Sequence, residues 1–347
     1  MIHPIPSGTR DVLPEETREV RAITDTLRSV FEHHGYGEVY TPALEYESVL
    51  ARADMTVPIA RVVATRYGSS EPPLRFCYFA HCYRGVRLQR GQPRELLQAG
   101  IELIGSPAPA GTAEALTVLC HALDAVGLKD YRIGLGDASL FPALMSSLQV
   151  REAVRAGLLD ALVRRDFVGL EHRLSETGLS EEAAKVLLEV PQRRGGPELL
   201  DDAPAPAVEP VTGMRRVHEL LEPEVAERVI FDLGLVRNIG YYTGAVFEVY
   251  DPALGAPIGG GGRYDELLGR FGRKLPAVGF ALGVDRLHIA LAGEERGTGA
   301  LLARDGAAGA ERGLASPALG ASQLKPAPST RSGARPGATA AAPEGSP

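Results

Sequence analysis

The apolar positions near the start of the chain repeat with the period of an α-helix. They recur three or four residues apart at Val20, Ile23, Leu27, Val30 and Phe31. Such spacing places all of them on one face of a helix. A proline and two glutamates, residues 14–16, suit its first turn, and a glycine at position 35 can end it. The pattern therefore predicts an amphipathic helix that begins at residue 14.

Several later segments have the composition of β-strands. Residues 74–83 are rich in aromatic side chains, and residues 131–135 alternate apolar and polar positions. Both features favour strands. Similar signals predict strands at residues 38–42, 96–104, 229–236 and 245–250. The whole pattern indicates an α+β unit dominated by antiparallel strands.

Helical spacing returns in three places after residue 110. Thr112 is the predicted N-cap of a second helix. Residues 145–200 are dominated by Ala, Leu, Arg and Glu, with Ser180 as a predicted cap. A final helix is predicted to begin near Gly283. The middle block has the character of a small helical insertion, over about residues 145–215.

The pattern divides the chain into a core and a tail. Residues 1–292 carry the predicted helices and strands, with a Pro/Ala linker at residues 201–211. Residues 293–347 are mostly Gly, Ala, Ser, Pro and Arg and have no apolar period. Such a segment cannot bury enough apolar surface to offset the entropy lost on ordering. We predict that it is disordered.

The charge balance and the cysteines narrow the function classes. The net charge is −7, and residues 293–347 hold six basic and five acidic residues, so the acidity belongs to the core. Phosphate contacts supply most nucleic-acid affinity, so an acidic core without a Lys/Arg block predicts that tRNA is not a partner. Cys77, Cys82 and Cys120 lack the spacing of a metal site and are expected to be reduced and buried. Neither a metal nor a cofactor is expected.

The N-terminal sequence and the length of the apolar runs indicate a location. Residues 1–6 have neither the basic nor the apolar region of a signal peptide. No apolar run approaches the ~18 residues of a membrane span. We expect a cytoplasmic protein without membrane contact.

Two short strings group side chains that can hold both ends of an amino acid. In the first, Arg84 precedes Gln98 and Glu102. On a strand, Gln98 and Glu102 share a face, because side chains repeat every two residues. They could accept an α-ammonium together while Arg84 pairs with a carboxylate or a phosphate. Charges on an exposed strand face are the alternative interpretation.

The second string places Arg237 just before Tyr241 and Tyr242. Tyrosine hydroxyls can hydrogen-bond an imidazole while their rings flank it. A pair of core tyrosines beside an arginine that extends its charge to solvent is the alternative interpretation.

Three further motifs accompany these strings along the chain. Residues 41–45 read Thr-Pro-Ala-Leu-Glu, residues 259–265 are a glycine run ending in Arg-Tyr-Asp, and residues 276–287 end in Asp-Arg-Leu. Together the motifs resemble the signatures of class II aminoacyl-tRNA synthetases, in the version of histidyl-tRNA synthetase, over nearly all of residues 4–292. The resemblance implies a dimer with a six- or seven-stranded antiparallel sheet flanked by helices.

Three departures from the synthetases argue against an enzyme. The synthetase triplet Arg-His-Glu is replaced by Arg-Gly-Val at residues 84–86, and valine can neither accept a hydrogen bond nor balance charge. The predicted tail stands where the synthetases have an anticodon-binding domain. Residues 52–61 replace their Arg-Pro-Glu-Gly-Thr string.

The string at residues 52–61, Arg-Ala-Asp-Met-Thr-Val-Pro-Ile-Ala-Arg, resembles a mark of the regulatory subunits of ATP phosphoribosyltransferase. Their known role implies a non-catalytic chain that joins a short-form catalytic subunit in the first step of histidine biosynthesis. It would activate that subunit and transmit feedback inhibition by histidine. By comparison with the family, a strand pair is missing near residues 50–52, which would expose a sheet edge.

The resemblance also implies how L-histidine is held as the effector. Its ammonium is expected near Asp54, Thr56, Gln98 and Glu102, its carboxylate near Arg84 or Arg237, and its imidazole near Tyr241 and Tyr242. The expected assembly is a hetero-oligomer built on a homodimer of this chain. A truncated synthetase-like enzyme that forms histidyl-adenylate is the main alternative. A histidine-binding module for another protein and a nonfunctional deletion product are two more.

Overall fold

One mixed sheet forms the centre of the structure. The computed structural model describes residue 5 and residues 8–42, 54–83, 93–201, 207–237 and 240–295. Within these ranges the strands are β1 (Gly37–Glu38), β2 (Leu74–Tyr83), β3 (Glu95–Ile104), β4 (Arg132–Asp137), β5 (Arg194–Gly195), β6 (Val229–Asp232), β7 (Ala245–Tyr250), β8 (Gly259–Arg263) and β9 (Ala277–Gly283). They lie in the order β1-β2-β3-β9-β8-β7-β4-β6-β5. The pairs β1–β2 and β4–β6 are parallel, and the other neighbours are antiparallel.

The sheet confirms the predicted class of fold and corrects its details. The described residues form nine strands, whereas the resemblance implied six or seven, and two pairs are parallel. The two-residue edge strands β1 and β5 are too short to show an alternating pattern, so the sequence does not reveal them. The strand predicted at residues 38–42 is limited to Gly37–Glu38, and the one predicted at 229–236 ends at Asp232. The strand predicted at residues 74–83 is confirmed.

Helices cover both faces of the sheet. In chain order they are α1 (Pro14–His33), α2 (Thr56–Arg66), α3 (Ala110–Ala125), α4 (Leu140–Ser147), α5 (Glu152–Val163), α6 (Phe167–Ser175), α7 (Glu181–Glu189), α8 (Val208–Glu219), α9 (Pro223–Ala226) and α10 (Val284–Glu295). Short 3₁₀ turns lie at residues 190–192, 197–200 and 268–271. Among the described helices none is long and apolar enough to cross a membrane.

The ends of three helices test the capping predictions. Helix α1 begins at Pro14, and Gly35 follows it with a φ of 79°, as predicted. Ser180 caps α7, because its hydroxyl accepts a hydrogen bond from the Ala183 amide. The predicted cap at Thr112 is wrong. Helix α3 starts two residues earlier, and Thr112 is buried in its first turn, where its hydroxyl accepts a hydrogen bond from Arg263 Nε at 3.3 Å.

The two faces of the sheet carry different side chains. On one face α1 and α3 cover a large apolar core, in which the Phe31 ring lies 5.9 Å from those of Phe79 and Phe280. On the other face α2 covers a smaller cluster around Tyr78 and Tyr264. The alternation of β3 therefore turns its apolar residues toward α1 and its polar residues toward the α2 side.

Helices α5 to α7 lie in the segment predicted as a helical insertion. Strand β5 lies within the same segment and pairs with β6, so part of the block extends the sheet. The boundaries of the insertion and of the core stay predictions. Residues 296–347, which include most of the predicted tail, lie outside the described ranges.

A histidine pair joins the end of α1 to α3. His34 Nε2 lies 3.0 Å from His121 Nδ1, and the ring of His33 is 5.8 Å from that of His34. One imidazole must donate and the other accept, so protonation of both rings breaks this bond. Burial, followed by His121 and His33, lowers the pKa of His34, and the nearby carboxylate of Glu114 opposes this shift. Glu114 is itself held by Arg75 and Tyr36.

We predict that the His34–His121 pair contributes less stability at pH 5.5 than at pH 7.5. The pKa of His34 is lower in the folded protein than its ordinary value of about 6.5, so the stability that depends on it is lost as the pH falls through that value. In His121→Gln the neighbouring ring, which helps to lower the pKa of His34, is absent. Between the two pH values the free energy of unfolding should therefore shift in favour of the variant relative to the wild type. Urea unfolding of both proteins at both pH values measures this difference, and an equal change in the two contradicts the assignment.

Candidate functional site

A cavity of about 270 Å³ lies on the α2 side of the sheet. Strands β3, β7, β8 and β9 form its floor, and the residues before and at the start of α2 form one wall. The segment that follows Gly240 supplies a second wall. This volume is at the small end for ligand pockets and suits a molecule of amino-acid size.

Glycines on the floor make room for the polar side chains of the cavity. A Cβ atom on Gly279 would overlap the carboxylate of Glu102, and one on Gly260 would overlap the guanidinium of Arg237. A Cβ atom on Gly262 would likewise overlap the ring of Tyr242, and one on Gly100 would overlap the hydroxyl of Tyr78. The functional side chains can therefore lie flat on the sheet because the opposing strand positions carry no side chain.

Glu102 lies behind two residues of the cavity lining, Thr56 and Tyr264, and is only 1% exposed. Thr56 Oγ1 donates to its Oε1 at 2.6 Å, and the hydroxyl of Tyr264 donates to its Oε2. Burial raises the pKa of Glu102 to about 8, although both hydrogen bonds favour the ionised form and only the charge of Asp54 adds to the rise. Desolvation dominates because two neutral donors replace a full hydration shell. Glu102 therefore holds a proton at neutral pH.

Asp54 and Gln98 stand beside this buried carboxyl. The hydroxyl of Tyr241 donates to Asp54 Oδ2 at 2.7 Å. Gln98 shares a face of β3 with Glu102, as predicted, and its Oε1 accepts a hydrogen bond from Cys82 Sγ at 3.0 Å. Polar oxygen atoms thus converge from α2, β3 and the segment after Gly240.

Arg237 brings a positive charge to the cavity. Its Nη1 donates to the carbonyl of Phe247 at 3.2 Å, and its Nε lies 3.7 Å from Glu248 Oε1. The guanidinium carbon is 5.9 Å from the centre of the Tyr242 ring. Arg237 is therefore fixed on the floor by its backbone contact and only loosely paired with Glu248.

Tyrosines line much of the remaining wall. Burial raises the pKa of Tyr78, Tyr241, Tyr242 and Tyr264. Their hydroxyls consequently remain protonated at any physiological pH and act as neutral donors or acceptors. The cavity combines the carboxyl groups of Asp54, Glu102 and Glu248 with the guanidinium groups of Arg237 and Arg286 and a set of neutral hydroxyls.

The structure brings together seven of the eight residues predicted to hold an amino acid. Asp54, Thr56, Gln98, Arg237, Tyr241 and Tyr242 line the cavity, and Glu102 lies beneath it. The eighth, Arg84, lies outside the described residues, as does Val86. Their role in binding histidine stays a prediction.

Sequence reasoning missed three residues of the site. Tyr264 was noted within the glycine-run motif but not as a partner of Glu102, which is far away along the chain. Tyr78 belongs to the aromatic strand β2, and only the register shows that it lies opposite Gly100. Glu248 had no signal, because a single acidic residue in a strand is ordinary. The glycine run noted in the sequence forms β8, the central strand of the described sheet.

The family model described as Histidyl-tRNA synthetase matches the chain at residues 8–52 and 48–287. The two matched segments meet where the sequence comparison predicts a missing strand pair. Residues 43–53 are not among the described ones.

Several known proteins are similar over most of the chain. The ATP phosphoribosyltransferase regulatory subunit of Symbiobacterium thermophilum is 41% identical, with 87% of this chain and 82% of that protein covered. The protein of the same name from Desulforamulus reducens is 38% identical, with 82% and 78% covered. A crystal structure of an ATP phosphoribosyltransferase regulatory subunit/histidyl-tRNA synthetase from Bacillus halodurans C superposes with a TM-score of 0.78 at 31% identity. It covers 89% of this chain and 91% of that one.

We predict that Glu102→Gln gains stability relative to the wild type as the pH rises. The folded wild type retains a proton on Glu102 up to a pKa of about 8, whereas the unfolded chain releases it near 4.5. Its stability is therefore greatest below that lower value and declines as the pH rises toward 8. Urea unfolding of the ligand-free proteins at pH 5 and pH 8 should shift in favour of the variant by at least about 1.4 kcal/mol, one pKa unit.

The exposed Glu171 provides a matched control, because Glu171→Gln makes the same side-chain change on the surface of α6. It should follow the wild type at both pH values. If Glu102→Gln also follows the wild type, Glu102 is ionised in the folded protein and the assignment is wrong.

Proposed function

We propose that this cavity senses histidine, on the premise that the chain belongs to the family of ATP phosphoribosyltransferase regulatory subunits. As predicted from the sequence, the chain is a non-catalytic regulatory subunit of that enzyme, which carries out the first step of histidine biosynthesis. The partner is its catalytic subunit, and we propose the short form. We further propose a homodimeric core, a cytoplasmic location and no interaction with tRNA.

The observation that carries the proposal is the arrangement of charge in one small cavity. The carboxyl group of Glu102 lies against Gly279 of β9, and the guanidinium of Arg237 lies against Gly260 of the neighbouring strand β8. An α-amino acid carries its ammonium and its carboxylate on one carbon atom, so a site with both kinds of partner can pair with both groups at once. Neutral tyrosine hydroxyls between them suit an imidazole, which needs one donor and one acceptor.

In the proposed complex, the ammonium of histidine lies near Asp54, Thr56, Gln98 and Glu102. Its carboxylate lies near Arg237 or Arg84, and its imidazole near Tyr241 and Tyr242. Arrival of an ammonium favours ionisation of Glu102, because the new cation compensates for the lost hydration. Histidine binding to the cavity would then release a proton.

Binding regulates the enzyme only if histidine favours one state of the complex over another. We propose that the chain activates the catalytic subunit and that the histidine-bound state of the cavity supports less activation. This is a statement about coupling between two proteins, so the decisive experiment must include both of them.

We predict that the chain stimulates transfer of the phosphoribosyl group to ATP by the short catalytic subunit, and that histidine suppresses the stimulation. Product formation is measured with and without this chain across a histidine titration. Arg237→Gln should raise the histidine concentration for half-suppression by roughly tenfold to a hundredfold, as expected for removal of a charged partner. Stimulation without histidine should persist.

Arg270→Gln is the control, because Arg270 is an exposed arginine on the 3₁₀ turn at residues 268–271. It should respond to histidine as the wild type does. If folded wild-type protein gives no stimulation, the regulatory proposal fails. Histidine-dependent exchange of pyrophosphate into ATP would instead support the synthetase-like alternative.

A further inference from the structure

A line of polar contacts leads from the cavity to the helices of the insertion. It begins at Arg237, passes through Glu248 and Tyr250 of β7, and ends at Arg165 in the turn between α5 and α6. These four side chains come from three separate parts of the chain. The line therefore joins the proposed ligand site to a segment that takes no part in the cavity itself.

The carboxylate of Glu248 contacts both Arg237 in the cavity and Tyr250 on the same strand. Its Oε1 lies 3.7 Å from Arg237 Nε, which is an ion pair without a short hydrogen bond. Its Oε2 accepts a hydrogen bond from the hydroxyl of Tyr250 at 2.6 Å. The carboxylate is thus held more firmly by Tyr250 than by the guanidinium in the cavity.

Tyr250 is held in turn by the insertion. Arg165 Nη2 approaches its hydroxyl at 3.5 Å and donates to the buried carboxylate of Asp232 at 3.2 Å. Arg194 of β5 donates to the same oxygen of Asp232 at 2.8 Å. Two arginines of the insertion therefore anchor on β6, and one of them also reaches β7.

The backbone at Arg165 has a conformation that usually requires glycine. Its φ is 55°, and the amides of residues 165 and 166 donate to the carbonyls of Leu162 and Ala161. This is the arrangement that ends helices with a left-handed residue, for which glycine is strongly preferred. An arginine here carries a conformational cost, because its Cβ atom crowds the following carbonyl oxygen. The contacts of its side chain with Asp232 and Tyr250 offset that cost.

We infer that Tyr250 is a positioning residue that holds Glu248 away from Arg237. Binding of a carboxylate at Arg237 is thereby coupled to the contacts by which Arg165 holds the insertion against the sheet. The inference rests on the proposed function. A ligand carboxylate at Arg237 repels Glu248 and takes over its ion pair. Glu248 then depends on Tyr250, which strengthens the contacts that end at Arg165. Because coupling is reciprocal, an insertion that is held firmly through Arg165 favours binding of the carboxylate at Arg237.

The test compares two ligands that differ only at the carboxylate. L-Histidine and L-histidinol, in which a hydroxymethyl group replaces the carboxylate, are titrated by calorimetry into the full chain. In Tyr250→Phe, Glu248 is free to pair with Arg237, and histidine affinity should fall by roughly threefold to tenfold. In Glu248→Gln the competing charge is gone, and histidine affinity should rise by a similar factor. Histidinol affinity should change less than twofold in both.

Tyr131→Phe is the matched control. It also removes a tyrosine hydroxyl that donates to a carboxylate, that of Asp124 at 2.9 Å, but this carboxylate belongs to α3, which packs on the face of the sheet opposite the cavity. It should leave both affinities unchanged. A fall in histidine and histidinol affinity by the same factor in Tyr250→Phe would mean a general structural role and would overturn the inference.

A second measurement follows the insertion directly. Amide hydrogen exchange of α5 and α6 should slow at least twofold in the wild type when histidine is added, and histidinol should not slow it. Arg165→Gly relaxes the left-handed turn while it removes the side chain, so the variant should fold and lose this response. A response that persists in Arg165→Gly overturns the inference.

The outcomes separate the two proposals. If the wild type binds no histidine, the histidine-sensing role and the inference both fail. If it binds histidine and the variants of Tyr250 and Glu248 behave like the wild type, the sensing role stands and the coupling does not exist.

Discussion

The structure depends on keeping one face of a sheet empty at its centre. A sheet normally buries both faces under apolar side chains, and the face toward α1 and α3 does so. On the other face, glycines on β3, β8 and β9 leave a space that α2 covers without filling. The glycines therefore have a packing role, since each of them lets a polar side chain lie where a Cβ atom would stand.

A buried carboxyl is the electrostatic consequence of that space. Glu102 is enclosed by hydroxyl donors from α2 and from the residue after β8, so it is hydrogen-bonded but not neutralised. An uncompensated buried charge is costly, and the group lowers this cost by keeping its proton. A cation beside Glu102 would compensate for its lost hydration, which is what the proposed binding of an amino-acid ammonium requires.

The sheet also connects the cavity with more distant parts of the chain. Strand β7 carries Glu248 toward the cavity and Tyr250 toward the insertion, because side chains two positions apart share a face. Strand β6, which lies next but one, carries the anchor for two arginines of the insertion. The proposed coupling between a ligand and the insertion would need only a change in which groups are paired, with no change of fold.

Local signals in the sequence determined the elements and the composition of the site. Helical spacing located α1, aromatic residues located β2, and the cap at Ser180 located α7, since each depends on neighbours a few residues away. The strings around Gln98, Glu102, Arg237 and the tyrosine pair identified most of the polar residues of the cavity. The prediction that Thr112 is an N-cap was wrong. A threonine can also lie inside the first turn of a helix when a distant side chain, here that of Arg263, donates a hydrogen bond to its hydroxyl.

Only the tertiary structure decided how these pieces meet. The edge strands β1 and β5 exist because a neighbour offers them hydrogen bonds, which two residues alone cannot reveal. Tyr264 reaches Glu102, and Tyr250 reaches Glu248 and Arg165, through the register and order of the strands. Proton affinity at Glu102 likewise depends on burial under groups from other elements. The sequence specifies which chemistry is present, and long-range packing determines which groups share a dielectric environment and a hydrogen bond.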